Sequence, residues 1–200
     1  VFSFALRLAE RRKERGLPGR VTCVDKANVF ASMAFFRKIF DEQARRFPAV
    51  DADHCYIDAM ALNLVRHPWS YDVVVTENMF GDILSDLGAG LIGGMGMAPS
   101  GDVGDRHALF QPAHGSAPDI AGTGKANPTA MFLSAVMMLE WFAERHGQTA
   151  CREAADVLGR AIERTFQQGR VKPFEFGGSS GTAAITRAVM DAFRVNARKR

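Results

Sequence analysis

YDVVVTENMFGDILSD, residues Tyr71–Asp86, is the stretch of sequence that decides the fold. The apolar, β-branched run at 72–76 is typical of a buried strand, and Met79–Leu87 has the spacing of an amphipathic helix. The polar residues between them are suited to cap that helix. Asp82 and Asp86 are four positions apart, so they lie on one face of the helix.

The two aspartates have two interpretations. Like charges at this spacing repel each other by about 0.2–0.5 kcal/mol. A hard divalent cation held by carboxylate oxygens would remove this repulsion and explain why both acids follow a buried strand. The alternative is a capped helix with two solvent-exposed acids. The segment alone leaves both interpretations open.

Composition limits the class of protein. The chain has 200 residues, of which 47% are hydrophobic, so it can form one large domain or two small ones. Its net charge of +3 is too small to indicate nucleic-acid binding. No run approaches the roughly 18 to 20 apolar residues of a membrane span, and no signal peptide is visible. The sequence therefore predicts neither a nucleic-acid nor a membrane partner.

The cysteines indicate the compartment. Cys23, Cys55 and Cys151 are odd in number and show no paired spacing, which argues against a disulfide framework or a zinc cluster. We therefore expect a reducing, cytoplasmic setting.

Hydrophobic periodicity predicts an α/β first half and a helix-dominated second half. The glycine-rich stretch 87–101 is expected to be a hinge or loop, and it places a domain boundary between 1–92 and 93–200. This stretch lacks the G-x-G-x-x-G pattern of dinucleotide-binding Rossmann folds. Gly122–Lys125 begins like a phosphate-binding P-loop, but Ala126 stands where serine or threonine is needed.

Three predicted helices carry further expectations. The helix Ser32–Phe47 should bury a stripe that includes Phe35 and Phe40. The helix Thr129–His146 is apolar enough to be buried on most sides, and Pro128 should occupy its first position. Asp58 follows a short strand and should cap the helix 59–66.

Charged residues follow the strands. Lys26 and Asp58 each come directly after one predicted strand, while Asp82 and Asp86 lie in the helix after another. Strand ends of one parallel sheet meet at the same edge, so these four side chains are expected to share a cleft. Three carboxylates there would suit Mg²⁺ or Mn²⁺. A lysine beside such a cation is suited to proton transfer, although a solvated loop lysine is the simpler interpretation of Lys26.

Five ordered blocks resemble the signature of the β-decarboxylating dehydrogenases, the isocitrate/isopropylmalate dehydrogenase family. Its members include 3-isopropylmalate, isocitrate, homoisocitrate, tartrate and D-malate dehydrogenases. The similarity covers nearly the whole chain, and the order and spacing of the blocks also match. The blocks are VDKANV (24–29), YIDAMA (56–61), FGDILSDL (80–87), HGSAPDIAG (114–122) and ANPTA (126–130).

The resemblance implies a catalytic site. Lys26 would be the general base that takes the proton from the substrate hydroxyl. Asp58, Asp82 and Asp86 would hold Mg²⁺ or Mn²⁺, and Asp58 would belong to both the metal site and the catalytic set. In a homodimer, Lys26 and Asp58 would come from the partner subunit, which makes each site composite. The metal would chelate the 2-hydroxyl and carboxylate of a 2-hydroxy acid and stabilise the enolate formed as CO₂ leaves.

The resemblance also implies a cofactor site and a fold. Asn28 would lie near the nicotinamide, and a second group would line the adenosine side. NADP-using relatives place Lys-Tyr where this chain has Asp119-Ile120, which favours NAD. The implied fold is a three-layer α/β architecture distinct from the Rossmann fold. The second group comprises His114, Gly115, Ser116, Ala117, Asp119, Ile120 and Asn127.

The chain resembles only the carboxyl-terminal portion of the family. The substrate-binding arginines, a catalytic tyrosine and the early nicotinamide loop belong to an upstream half, so this chain alone is expected to be inactive. Those residues also select the substrate. The blocks are closest to 3-isopropylmalate dehydrogenase-like and tartrate/D-malate dehydrogenase-like members.

The sequence also allows two other functions to be considered for this chain. A non-catalytic subunit of the same fold would be expected to lack metal or base residues, and this chain has all four. A magnesium-dependent phosphotransferase would need a phosphate cradle, and the sequence shows none.

Overall fold

The computed structural model describes residues 1–197. It divides into two compact units, Val1–Gly88 and a second unit that begins at Ala89. The division falls inside one helix, close to the domain boundary expected from the glycine-rich stretch. No helix in the described part of the chain combines the length and the apolar character needed to cross a membrane.

A three-stranded parallel sheet forms the centre of the first unit. Its strands are β1 (Arg20–Asp25), β2 (Asp51–Tyr56) and β3 (Val73–Val75), in the spatial order β2-β1-β3. Cys23 of β1 pairs with His54 on one side and Val75 on the other. The central strand is buried along almost its whole length, as expected for a parallel sheet covered on both faces.

Four helices surround this sheet: α1 (Phe2–Glu14), α2 (Ala31–Ala44), α3 (Ile57–Arg66) and α4 (Asn78–Leu91). Successive residues of β1 point to opposite faces. Cys23 packs with Leu6 and Phe40 on the face covered by α1 and α2. Val24 packs with Met60 and Leu84 of α3 and α4. The first unit is therefore an α/β layer structure, as the sequence predicts.

The second unit consists of a hairpin and three long helices. Strands β4 (Pro99–Val103) and β5 (Ala108–Pro112) pair antiparallel. Helices α5 (Thr129–His146), α6 (Thr149–Gln167) and α7 (Thr182–Ala197) follow, with α6 packed between the other two. The Ser134 hydroxyl of α5 donates to the Gln111 carbonyl of β5 at 2.7 Å and joins helix to hairpin.

The structure corrects several local expectations. Helix α4 continues through Gly88 and Gly90 to Leu91, and β4 begins at Pro99, so the stretch 87–101 is not one loop. The α2 stripe is narrower than expected: Phe40 is fully buried, whereas Phe35 is 64% exposed. One row of buried side chains is sufficient for α2, because the helix faces the core on one side only.

The second unit also differs from expectation in two places. Helix α5 keeps Met131 and Phe142 exposed, so it is not buried on most sides. Pro128 stands at the position before the helix instead of the first position within it, and the Asn127 side chain accepts the N–H of Thr129 at 3.1 Å. Pro128 is thus the N-cap position of α5, and the Asn127 side chain satisfies the first N–H of the helix.

Candidate active site and nucleotide cavity

Lys26 and Asp58 form an ion pair at the carboxyl edge of the parallel sheet. Lys26 directly follows β1, and Asp58 lies in the first turn of α3, which follows the neighbouring strand β2. The Lys26 Nζ donates to Asp58 Oδ1 at 2.7 Å. The sequence prediction that these two residues meet agrees with this geometry, because adjacent parallel strands end side by side.

The hydrogen bond from Lys26 lowers the pKa of the Asp58 carboxyl below its ordinary value. Asp58 has 68% of its side chain exposed, whereas Lys26 has only 23% exposed. Asp58 is the second residue of α3 and not its cap, since Tyr56 precedes the helix. An ion pair this exposed contributes little to stability. The pair therefore leaves the Asp58 carboxylate accessible to solvent at the carboxyl end of the sheet.

Asp82 and Asp86 lie on the exposed face of α4. Leu84, which is between them in sequence, is buried. The side chain of Glu77 caps this helix by accepting the N–H groups of Met79 and Phe80, at 3.1 Å and 2.9 Å. Neither Asp82 nor Asp86 is therefore needed to cap the helix. Both remain open to a ligand from solvent.

A single chain does not bring the three predicted metal ligands together. Across residues 1–197, no three His, Cys, Asp or Glu side chains are grouped closely enough to hold a metal ion. Asp58 is therefore not grouped with Asp82 and Asp86 of its own chain, and the resemblance likewise places Asp58 in the partner subunit. The strand order gives the reason: Asp58 follows one edge strand, α4 follows the other, and strands are spaced about 4.8 Å apart.

A cavity of about 610 Å³ lies in the second unit. It is formed by the end of the glycine-rich stretch, the loop 114–124, the start of α5 and the start of α7. Its lining is mainly apolar, with a few polar groups, which is typical of a small-molecule site. The lining residues are Met95, Gly96, His114, Gly115, Ser116, Ala117, Ile120, Ala121, Gly122, Gly124, Ala126, Asn127, Glu175 and Thr182.

Most of the predicted adenosine-side residues line this cavity. The exception is Asp119, which is exposed in the 3₁₀ turn Pro118–Ile120 between two lining residues; Asn28, predicted near the nicotinamide, is not part of this lining. Asn28 lies exposed in the turn after Lys26, in the first unit. The lining members of the predicted set are His114, Gly115, Ser116, Ala117, Ile120 and Asn127.

The loop on the cavity wall holds a strained backbone. Ala117 has φ 42° and ψ 63°, a left-handed conformation that L-residues other than glycine rarely adopt. The Thr182 hydroxyl at the start of α7 donates to the carbonyls of Gly124 and Ala126. The Thr182 N–H also donates to Gly124 at 2.8 Å. Strain of this kind persists only where surrounding structure fixes it, and it is commonly found at ligand sites.

Glu175 is a cavity residue that sequence reasoning missed. Its Oε1 accepts from Asn127 Nδ2 at 2.6 Å, and it lies in the 3₁₀ turn Phe174–Phe176. A Cβ on Gly96 would approach Glu175 Oε1 to 2.7 Å and Asn127 Cβ to 2.8 Å. Gly96 is therefore required for this wall to close. No local signal links residues so far apart in sequence.

The sequence is similar to those of known proteins. The family model described as isocitrate/isopropylmalate dehydrogenase matches residues 1–192. The 3-isopropylmalate/3-methylmalate dehydrogenase of Methanocaldococcus jannaschii is 46% identical over 97% of this chain and 56% of its own length. The isocitrate/homoisocitrate dehydrogenase of Thermus thermophilus is 44% identical over 95% of this chain and 54% of its own length.

Solved structures agree. Isocitrate dehydrogenase from Methylococcus capsulatus superposes with a TM-score of 0.81 at 36% identity, over 97% of this chain and 57% of that one. A β-decarboxylating dehydrogenase from Thermococcus kodakarensis gives 0.78 at 37% identity, over 98% and 56%. The chain thus spans little more than half the length of the relatives it matches. Its sequence and its α/β architecture together show that the chain belongs to the isocitrate/isopropylmalate dehydrogenase family.

Proposed function

We propose that this chain carries the metal, base and adenosine-binding parts of an NAD-dependent β-decarboxylating dehydrogenase. The complete enzyme would oxidise the C2 hydroxyl of a malate-type 2-hydroxy acid and release CO₂. The observation that carries the proposal is the Lys26–Asp58 pair at the carboxyl edge of the sheet. This pair places an amine that can serve as a base beside an accessible carboxylate, an arrangement that supports removal of a proton from an alcohol.

Lys26 is the proposed general base. Its Nζ would accept the hydroxyl proton of the substrate while hydride leaves C2 for the nicotinamide. Lys26 would react as the neutral amine, and the ammonium formed when it takes the proton would be bound by Asp58 until that proton is released to solvent. A base must lie within hydrogen-bond reach of the proton that it removes, so the direction in which Lys26 points is decisive.

Asp58, Asp82 and Asp86 are the proposed ligands of Mg²⁺ or Mn²⁺. Their donor set of hard carboxylate oxygens fits such an ion. When bound, the ion supplies Lewis acidity that polarises the substrate hydroxyl or carbonyl oxygen. Because one chain does not bring the three carboxylates together, the fit requires two copies, with Asp58 and Lys26 of one opposite Asp82 and Asp86 of the other.

Exposed apolar side chains support a homodimer. Leu62 and Val65, spaced by three on α3, are 55% and 57% exposed. Met79 and Ile83, spaced by four on α4, are 61% and 56% exposed. Such rows of exposed apolar residues are typical of a surface that another chain covers. These helices carry the proposed metal ligands, so a second copy packed here would place both ligand sets at one interface.

NAD is the proposed cofactor. The cavity lined by His114 and Asn127 is large enough for an adenosine group, and its apolar walls suit a purine ring. Asp119, exposed beside this cavity, would accept hydrogen bonds from the ribose hydroxyls. Asn28, next to Lys26, would lie on the nicotinamide side.

The substrate is proposed as 3-isopropylmalate or a tartrate/D-malate-like acid. The relatives named above act on 3-isopropylmalate and 3-methylmalate in one case and on isocitrate and homoisocitrate in the other. All are malate-type acids with different groups at C3. We place the enzyme in the cytoplasm, where its three free cysteines would remain reduced.

The test is turnover by a full-length protein carrying this sequence. The purified enzyme is given Mg²⁺ or Mn²⁺, NAD and each of 3-isopropylmalate, isocitrate, homoisocitrate, D-malate and tartrate. NADH absorbance and released CO₂ are measured together. Stoichiometric NADH and CO₂ from one of these acids is expected. Absence of reduction with every acid would favour a non-catalytic subunit, and the 200-residue chain alone is expected to show no turnover.

A further inference from the structure

A buried carboxylate lies directly before Lys26 and has no chemical role in the proposed reaction. Asp25 is the last residue of β1, and its side chain is fully buried. A charge removed from water is unfavourable unless it is paired and hydrogen-bonded. Arg37 satisfies this need, because its Nε and Nη2 donate to Asp25 Oδ2 and Oδ1, each at 2.7 Å.

The same carboxylate shapes the turn that contains Lys26. Asp25 Oδ1 also accepts the N–H of Ala27 at 2.8 Å, an Asx-type turn that spans Lys26. The Lys26 carbonyl accepts the N–H groups of Val29 and Phe30, each at 3.0 Å. The peptide group that joins Lys26 to Ala27 is therefore held through both its N–H and its carbonyl, which fixes the turn that carries the Lys26 side chain.

Arg37 extends this support to the side chain of Lys26. Its guanidinium carbon lies 5.1 Å from the centroid of the Tyr56 ring, and Lys26 Nζ lies 5.8 Å from the same ring. Both cations are thus attracted to one aromatic ring. Tyr56 ends β2 and stands two residues before Asp58, which binds Lys26 at 2.7 Å. The Tyr56 ring thus links the end of β1, which carries Lys26, to the end of β2, which leads into Asp58.

We propose that Asp25, acting through Arg37 and the Tyr56 ring, is a positioning residue that aims Lys26 Nζ at the substrate hydroxyl. The inference rests on the proposed function, which makes Lys26 the base. Asp25 is buried and touches no substrate, so its effect is geometric. A misplacement of about 1 Å in a reacting group can lower a rate about 100-fold.

The chain supplies a matched control. Asp72 is also a buried aspartate, with 2% of its side chain exposed. Arg12 Nε donates to it at 2.6 Å, and the Gly19 N–H donates at 2.8 Å. Asp72, however, precedes the start of β3, whereas Lys26 follows the end of the parallel strand β1. The two residues therefore lie at opposite ends of the strands. Asp72→Asn removes an equivalent ion pair far from the proposed base.

The test compares these variants in the full-length enzyme. Asp25→Asn is expected to lower kcat about 10- to 100-fold, with KM for the cofactor within about twofold of wild type. Asp72→Asn is expected to leave kcat within about twofold of wild type, even if it lowers Tm as much as Asp25→Asn does. Arg37→Lys, which keeps the charge, should retain clearly more kcat than Arg37→Gln.

Equal kcat values for Asp25→Asn and Asp72→Asn would overturn the positioning role. If Asp25→Asn does not fold, the Arg37→Lys and Arg37→Gln pair decides, and equal kcat in that pair would overturn it. Lys26→Ala separates this failure from failure of the proposed function. Retained activity in Lys26→Ala would refute the role of Lys26 as the base. An inactive Lys26→Ala together with a fully active Asp25→Asn would refute only the positioning role of Asp25.

Discussion

The Nζ of Lys26 lies 2.7 Å from Oδ1 of Asp58, although the two residues are 32 positions apart in sequence. Parallel pairing of β1 with β2 produces this contact, because Asp25 and Tyr56, the last residues of the two strands, stand opposite each other. The chain then turns into Lys26 on one strand and into the first turn of α3 on the other. A proposed base and a proposed metal ligand are thus adjacent at the sheet edge.

Replacement of the proposed base should abolish most catalysis without loss of binding. We expect Lys26→Ala to lower kcat by about 10² to 10⁴, the usual contribution of a general acid or base, with a much smaller change in KM. Steady-state kinetics of the full-length enzyme measure both values. A kcat within a few-fold of wild type would show that Lys26 takes no part in proton transfer.

A mixed dimer tests whether the site is shared between two chains. Lys26→Ala and Asp82→Asn subunits are each expected to form inactive homodimers. A heterodimer of the two carries one intact site if Lys26 of one chain works with Asp82 of the other. Co-expression with two affinity tags should therefore recover some of the wild-type kcat. Complete inactivity of a well-folded heterodimer would mean that both residues act within one chain.

Loss of either α4 carboxylate should remove metal-dependent activity and leave the fold intact. Asp82→Asn and Asp86→Asn each replace a hard anionic ligand with a neutral group of the same shape. Both side chains are exposed, so the free energy of unfolding should change by less than about 0.5 kcal/mol. Activity is measured against Mn²⁺ concentration. Asp51→Asn, an exposed aspartate at the other end of the sheet, is the control.

Normal activity of both variants at low Mn²⁺ would remove Asp82 and Asp86 from the metal site. Normal behaviour of only one would reduce the ligand set to Asp58 and the other residue. Thermal unfolding of each variant should accompany the assay, so that a folding defect is not mistaken for loss of a ligand.

Local patterns were sufficient to predict much of the first unit. The β-branched run before Thr76 gave a strand, and the apolar spacing around Leu84 gave a helix, because each signal lies within a few residues. Convergence of Lys26 and Asp58 then followed from one rule about parallel sheets. The rule could not supply the strand order, and the order β2-β1-β3 separates Asp58 from Asp82.

Long-range polar partners could not be predicted. No role was predicted for Asp25, since its burial depends on its pairing with Arg37, which is 12 residues away in sequence. Glu175 meets Asn127 across 48 residues, and neither residue type indicates a partner. The hairpin β4–β5 was missed because its first strand begins with Pro99 and includes Gly101, which are signals of turns more often than of strands.

Cys23 should make stability depend on alkaline pH. Burial, with a smaller effect from Asp25, raises the pKa of this thiol to about 12 from 9.0. The folded state therefore keeps the proton when the unfolded chain loses it. The resulting contribution to stability is complete below about pH 9 and is lost as the pH rises to about 12.

This pH dependence can be measured by denaturant unfolding at several values between pH 8 and pH 11. Wild type should lose stability more steeply than Cys23→Ala, by up to about 1.4 kcal/mol per pH unit, the limit for one proton. Cys151→Ala keeps Cys23 and should follow the wild-type slope. Equal slopes for wild type and Cys23→Ala would contradict the assignment.

The cofactor preference should depend on Asp119. This carboxylate is exposed in the turn between Ala117 and Ile120, two residues that line the cavity. Hydrogen bonds from ribose hydroxyls to a carboxylate are worth about 1.5–3 kcal/mol each. A 2′-phosphate would instead meet a like charge without a donor, so the same group favours NAD and opposes NADP. Lys125 is not expected to offset this repulsion of the 2′-phosphate, because one flexible lysine binds a phosphate weakly.

We therefore expect the wild-type kcat/KM for NAD to exceed that for NADP by at least about 100-fold, or about 2.7 kcal/mol. The double variant Asp119→Lys/Ile120→Tyr should lose most of this preference. Asp191→Lys, a charge reversal at an exposed residue of α7 that does not line the cavity, should preserve it. If wild type used both cofactors equally, a carboxylate beside the cavity would not be the selecting group, and the ribose would have to bind elsewhere on the loop.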